Sequence, residues 1–534
     1  ELLQATGSES ALEGPLQLDA EFAKNDEQNT LKANIALSDV TITADTSLVE
    51  ETATLDVTLA TLDKLGELLE VADLPPQELK ASGSLTMAPA TIGIDELVVT
   101  VASAQARLTG ELARGDGESR IEVDASGESL AELRAGMPEI PFTFKTTALM
   151  SPARVVLDPL TTTFGESDLN GNVNIANGTP SEVDVKLQSQ LIDMTPFYEK
   201  SLEREKAEIE AEQAQRAEQG EQEPESRYVF TEDPFALDGL RENDIDVDLS
   251  IARLLRGTIE LLDIQTVVDL HDGKLDVDHR MSTAGSGASE SKIMLDAAGQ
   301  QPQLDMLATF KGLKLNLSSG ENADVSIIPA MDLTLDIKAA GPTPRAMASS
   351  TNGRFVMTQG PGRVENKLVG RVSGDLFSQL FGAMNPMAKE EQYSNWECSV
   401  FGIEFVDGDG EIKGLLLQGQ RLQVVGGGTI DLNTEKLNVE FNTKPREGAG
   451  LSADMFVTPF IKVGGTLASP GVGLNKKGVL LSGGAAIMTG GLSFLYQGLG
   501  DRASSGDLCE KTLAEVGARA AGAPEAEPAE TPGE

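Results

Sequence analysis

The chain has 534 residues, 40% of them hydrophobic, enough to bury several cores or one elongated one. With 42 Lys+Arg against 85 Asp+Glu it carries a formal charge of −43, which repels nucleic acid and anionic surfaces and excludes a DNA- or RNA-binding role. Aromatic residues are only 4% of the chain, so single-strand stacking platforms are missing and aliphatic side chains must make the interior.

In chain order, Leu16–Phe22, Leu31–Leu37, Val40–Ile42 and Leu55–Leu59 alternate apolar and polar residues with period two, the pattern of half-buried strands. Leucines at 59, 62, 65, 68 and 69 then follow helical spacing, and Leu74-Pro75-Pro76 stops them. A repeat follows. Leu74, Pro89 and Leu97 return as Met137, Pro152 and Leu160, each 63 positions on (137 − 74, 152 − 89, 160 − 97), and Leu108 and Gly110 answer to Leu169 and Gly171. A unit of short helix, Pro turn and several strands is therefore used twice, as in stacked arrays.

The most organised stretch runs from Leu160 to Phe197. Gly165 and the pair Asn170-Gly171 punctuate alternating runs, and Asn-Gly between such runs predicts a hairpin turn within an antiparallel meander. From Glu199 to Glu225 the chain is Glu, Lys, Gln, Ala and Arg without an apolar stripe, a surface helix or disordered insert. Strands return at Ile245–Ile251, Leu275–Val277, Leu313–Leu317 and Met331–Ile337, with turn material at His271–Lys274 and Ser286-Gly287. Leu376–Phe381 reads as a short helix. Gly478–Gly500 is uncharged and long enough to span a bilayer, but its glycines favour a segment packed on the sheet or at a membrane interface. A last helix is expected over Leu508–Ala521, then a solvated tail.

Two phrases carry a resemblance. Phe164-Gly-Glu-Ser-Asp-Leu-Asn-Gly171, and Leu191-Ile-Asp193-Met-Thr-Pro196-Phe197 with Ile192 as an extra residue, resemble the AsmA family of bacterial envelope proteins. Asp407–Gly410, Gly428–Leu432, Leu437–Phe441 and Val463–Pro470 resemble the same family in order and spacing. The resemblance implies a mainly β fold, an elongated curved antiparallel sheet with an apolar groove built from serial repeats. It also implies a periplasmic location, an inner-membrane anchor on a missing N-terminal segment, and movement of phospholipid toward the outer membrane. AsmA-like proteins are similar in this to the eukaryotic bridge-like lipid transfer proteins. Glu1 opens on structured-looking sequence without a signal peptide, as expected of a fragment or processed product.

The expected regions are 1–198, an N-terminal β-repeat region; 199–227, the charged insert; 228–475, a C-terminal β region; 476–521, the Gly-rich apolar segment and terminal helix; and 522–534, a disordered tail. Catalytic motifs are missing: no P-loop, no G-x-S-x-G, no H-E-x-x-H and no zinc-spaced Cys pair. No enzyme activity, cofactor or metal is expected. His271 and His279 among Asp269, Asp272, Asp276 and Asp278 read as a solvated strand face, and Asp407-x-Asp409-Gly410 as a tight hairpin turn, since Gln418 stands where a calcium loop needs Glu. Cys398 and Cys509 either pair in an oxidising compartment or stand as two buried thiols.

Alternation alone accepts either a sealed sandwich or one open sheet; the serial repeats and scarce aromatics favour the open sheet. The residues expected to face acyl chains are Val183, Val185, Leu187, Ile245, Val247, Leu249, Ile251, Met331, Leu333, Leu335, Ile337, Leu437, Val439 and Phe441. The alternative is an assembly factor that offers sheet edges to outer-membrane proteins.

Overall fold

The computed structural model describes residues 16–24, 29–37, 40–47, 52–59, 61, 74–201, 228–257, 259–283, 287–314, 329–365, 393–420, 422–445, 461–474 and 508–517. The helices expected near Leu62–Leu69 and Leu376–Phe381, most of the charged insert, and the Gly478–Gly500 segment lie outside these residues. Among the described residues the protein is mainly β, as its alternation requires. Two compact units are formed, one of Glu1–Gln222 with Asn243–Gly257 and one of Glu223–Glu242 with Thr258–Glu534.

In the first unit, strands from Leu16–Lys24 through Ser181–Ser189 each pair antiparallel with the next in sequence. The sheet is a serial meander and does not close on itself. The 63-residue repeat is realised strand for strand. Leu79–Met87, Thr91–Val101 and Ala104–Ala113 return as Phe142–Ser151, Arg154–Phe164 and Ser167–Ala176, with starts 63 apart (142 − 79, 154 − 91, 167 − 104). A bulge recurs with them, between Ile94 and Leu97 and again between Leu157 and Leu160. One extra residue at the same place in each copy bends the ladder there and strengthens its twist. The helix expected before the second copy is a single 3-10 turn, Leu130–Glu132.

The unit then departs from serial order. Asn243–Arg256 lies parallel to Ser181–Ser189, with Val183 opposite Ile245 and Leu187 opposite Leu249. A parallel neighbour needs a long crossover, and the chain between the two strands supplies it. This ladder takes Asn243–Arg256 into the first unit, whereas the sequence placed it with residues 228–475.

Asn170-Gly171 is not a turn. The chain reverses at Gly165-Glu166, where Gly165 has φ +58, and Asn170-Gly171 sits inside Ser167–Ala176. A Cβ on Gly171 would meet the Lys186 carbonyl oxygen at 1.8 Å, so glycine serves close strand approach there.

The second unit is again serial and antiparallel, from Ile259–His271 to Pro470–Leu474, and Asn352–Gln359 pairs directly with Tyr393–Val406. Gln303–Leu313 is a strand, and most of the one foreseen at Leu313–Leu317 lies outside the described residues. Asp407-Gly408 is the tight turn expected, with Asp407 at φ +50 and its N–H donating to Asn352 Oδ1. A buried acid helps fasten residues 228–242 to this unit, beside backbone bonds such as Phe235 N–H to the Pro342 carbonyl. The Glu435 carboxylate, 0% exposed, accepts the backbone N–H groups of Val229 at 2.6 Å and Phe230 at 2.8 Å, and Arg345 stands 3.6 Å away. Its backbone bonds and the guanidinium together are what make a buried carboxylate tolerable.

Candidate functional site

In each unit the apolar residues of successive strands fall opposite one another and so share a face. In the first unit one row runs Leu55, Gly83, Leu97, Leu108, Val123, Thr146, Leu160, Gly171, Leu187, Leu249 without a break in register. At about 4.8 Å per strand this row is on the order of 40 Å long. Val185 extends a parallel row through Val173 and Leu157, and Val183 one through Ile175 and Val155. Of the expected lining, Val183, Val185, Leu187, Ile245, Val247 and Leu249 are therefore brought together across two neighbouring strands, each half-buried, while Ile251 is buried at 8% exposure.

In the second unit a row runs Val268, Val277, Ile293, Met306, Ile337, Gly353, Phe405, Gly410, Ile430, Leu437. Met331, Leu333 and Leu335 lie on the same face as Ile337, half-buried. His279 belongs to this face too, opposite Thr266 and hydrogen-bonded to its hydroxyl at 2.9 Å, so it is not part of the solvated acidic face expected for it.

Towards the end of the unit the face closes. Val439, at 6% exposure, and Phe441, at 9%, pack with Ile403, Ile412, Leu415, Val424 and Val463, and Phe355, Phe401 and Phe405 fill in around them. These two expected lining residues are ordinary core, because the few aromatics concentrate where they can seal the face. On the opposite side the helix Leu508–Glu515 covers Val400, Leu416 and Val425, and the Cys398–Cys509 disulfide fixes it there. Gly402 and Gly414 give the helix its seat, since a Cβ on either would strike Val516 at 2.4 Å and 2.8 Å.

Away from that helix, the other face of each sheet is mainly polar. Arg107 pairs with Glu96 at 2.8 Å and Lys145 with Asp124 at 2.9 Å in the first unit. In the second, Lys292 lies between Asp276 and Asp278, whose charges, Asp276 foremost, raise its pKa above the usual lysine value. Such exposed pairs contribute little stability each, but they keep this face wetted.

The phrase around Asp168 has a structural role. Asp168 Oδ1 accepts the N–H groups of Gln190 and Leu191, both at 3.0 Å, and Ser167 Oγ accepts the Asp193 N–H at 2.8 Å. Asp193 Oδ1 accepts the Thr195 N–H, and Phe164 meets Phe197 edge-on at 5.8 Å. Phe164, Ser167, Asp168, Leu191, Asp193 and Phe197 of the two phrases thus hold the stretch where Ser181–Ser189 is interrupted and resumes as Ile192-Asp193, still parallel to Asn243–Arg256, just before the chain leaves the serial order. Residues 157–376 match the model of the AsmA family.

They are an AsmA-family region. The match covers the Asp168 phrase and stops before the C-terminal phrases at Asp407–Pro470. The match suggests an envelope-related function of the lipid-transfer type. No curated protein matches the chain. No helix among the described residues is long and apolar enough to cross a membrane.

Sequence reasoning left out much of this face: Leu97, Leu108, Val123, Val173, Ile293, Met306 and Phe355 contribute as much as the residues selected. They carry the same period-two signal and were separable only through register.

Proposed function

We propose that this AsmA-family chain carries phospholipid between membranes of a Gram-negative envelope, along the apolar faces of its sheets, in support of outer-membrane biogenesis. The observation behind this reading is the continuous, mainly aliphatic row from Leu55 to Leu249, interrupted only by Gly83, Thr146 and Gly171 and most of it half-buried rather than sealed. Taking an acyl chain out of a bilayer costs about 0.8 kcal/mol per methylene exposed to water, and a continuous aliphatic surface offsets that cost at every step. No bond is made or broken, so the work needs no catalytic residue and no cofactor. A periplasmic site of action, with anchorage to the inner membrane by a segment ahead of Glu1, fits this reading, and the Cys398–Cys509 disulfide suits an oxidising compartment. The test is mass spectrometry of lipids extracted from the purified chain. Stoichiometric phospholipid is the expected result; a lipid-free chain that also takes up none from vesicles would overturn the proposal.

A second reading, an assembly factor for outer-membrane proteins, draws on the strand Leu16–Lys24, which pairs on one side only among the described residues. Site-specific crosslinks from that strand to a client strand would favour it.

A further inference from the structure

We propose that Arg114 is a headgroup-binding residue at the rim of the first unit's apolar face, recognising the phosphate of a lipid whose acyl chains lie on that face. The inference rests on the lipid-carrier reading and deepens it.

Arg114 follows the strand Ala104–Ala113 at one end of the sheet. Its Nη2 lies 3.8 Å from Met87 Sδ, and Met87 shares its strand face with Ala81, Gly83 and Leu85, members of the apolar rows. The guanidinium thus touches the edge of the apolar face while the residue as a whole stays exposed, the disposition of a group working where grease meets water.

Its charge is also uncommitted. In a chain with twice as many acids as bases, Arg107, Arg120, Lys80, Lys145 and Lys186 all reach carboxylates within 4.0 Å. Among the described residues Arg114 reaches none, although Asp116 and Glu118 stand on the same turn.

Nor does folding require the guanidinium. The turn is held by the Arg114 N–H donating to the Ala90 carbonyl at 2.8 Å and by the Ser119 hydroxyl accepting the Ala113 N–H at 2.9 Å. In the second copy Asn177 occupies the corresponding position (177 − 114 = 63) and makes the same backbone bond to Ala153 at 2.7 Å. A neutral residue serves the turn equally well there.

A guanidinium offers phosphate a planar fork of charge-assisted hydrogen bonds. Asp116 and Glu118 disfavour a free anion arriving from solution, so phosphate is held when acyl chains on the adjoining face retain it. This selects a lipid-borne phosphate over a soluble one.

The test uses the full chain and two detergent-dispersed lipids with identical acyl chains, a diacylglycerol and a phosphatidylglycerol. Wild type is expected to retain both. Arg114→Gln should weaken retention of the phosphatidylglycerol by roughly tenfold and leave the diacylglycerol unchanged, with Arg114→Lys intermediate. Arg107→Gln, on the polar face, should change neither. An Arg114→Gln effect that is zero, or equal for both lipids, overturns the Arg114 assignment and leaves the carrier reading standing. Retention of neither lipid by wild type overturns the carrier reading and the assignment with it. Binding of glycerol phosphate alone, abolished by Arg114→Gln, would mark a soluble-phosphate site and overturn the lipid assignment.

Discussion

Asp168 and Leu191 hold each other reciprocally at the break between Ser181–Ser189 and Ile192-Asp193: the Asp168 carboxylate accepts the Leu191 N–H at 3.0 Å, and the Leu191 carbonyl accepts the Asp168 N–H at 3.0 Å. The N–H groups of Gln190 and Leu191 lie just past a strand end and find their acceptor in this one side chain.

Asp168→Ala leaves two N–H groups without an acceptor and is expected to destabilise the first unit by about 1–3 kcal/mol. Asp168→Asn keeps an acceptor oxygen and should lose less. Urea midpoints, with hydrogen exchange at Gln190 and Leu191, measure both; equal losses for the two variants would contradict the acceptor role.

Gly171→Ala places a methyl 1.8 Å from the Lys186 carbonyl oxygen and must force two strands apart. We expect at least about 2 kcal/mol of destabilisation, in the manner of overpacking. Gly239→Ala is the control: in the helix Asp238–Glu242 a Cβ at this position would meet nothing within 4 Å, and the change should be neutral or stabilising by roughly 0.5–1 kcal/mol.

The repeat and the strands were legible in the residues because alternation and the 63-residue spacing are set by what each strand must bury. The Asn170-Gly171 turn was misread because a dipeptide that suits a tight hairpin also suits a place where a neighbouring carbonyl comes too close for a side chain. Val439 and Phe441 carry the same alternation as Val183 and Val185; only the aromatic neighbours Phe401 and Phe405, brought near by pairing, decide that they are sealed. The parallel ladder of Ser181–Ser189 with Asn243–Arg256 left no local sign, since its strands are separated by the charged insert. The two cysteines, 111 residues apart, met through tertiary contacts that spacing does not encode.

Charge on the lining should separate the open and closed parts of the face. Val247→Asp and Leu335→Glu, at half-buried positions, are expected to lower lipid loading while circular dichroism stays close to wild type. Val439→Asp, in the closed core, should instead cost more than about 3 kcal/mol and unfold the end of the second unit. Unfolding by all three would mean that the whole face is core.

Reduction of Cys398–Cys509 opens a loop whose ends are 111 residues apart, and chain-entropy reasoning assigns such a closure about 4.7 kcal/mol. Cys509→Ser is expected to release the helix Leu508–Glu515, which retains only Leu508, Leu513 and Val516 as apolar contacts. Hydrogen exchange along 508–517 should rise sharply, with little change in the first unit.

Glu132 accepts hydrogen bonds from the Ser103 hydroxyl at 2.6 Å and the Ser103 N–H at 2.8 Å, and the hydroxyl bond foremost holds its pKa below the usual 4.5. A folded pKa below the unfolded one means stability present above pH about 4.5 and lost as pH falls through the depressed value. Glu132→Gln should flatten that acid limb of the stability profile; an unchanged limb would show that Ser103 leaves the carboxylate unaffected.

The recurrence of one bulge, at Ile94/Leu97 and at Leu157/Leu160, means that each copy imparts the same bend to the strands that follow it. Inserting or deleting a whole 63-residue module would then lengthen or shorten the track in fixed increments while every later side chain keeps its orientation. Reach becomes a heritable quantity adjustable by gene duplication, and the length of the apolar face can change without redesigning any strand.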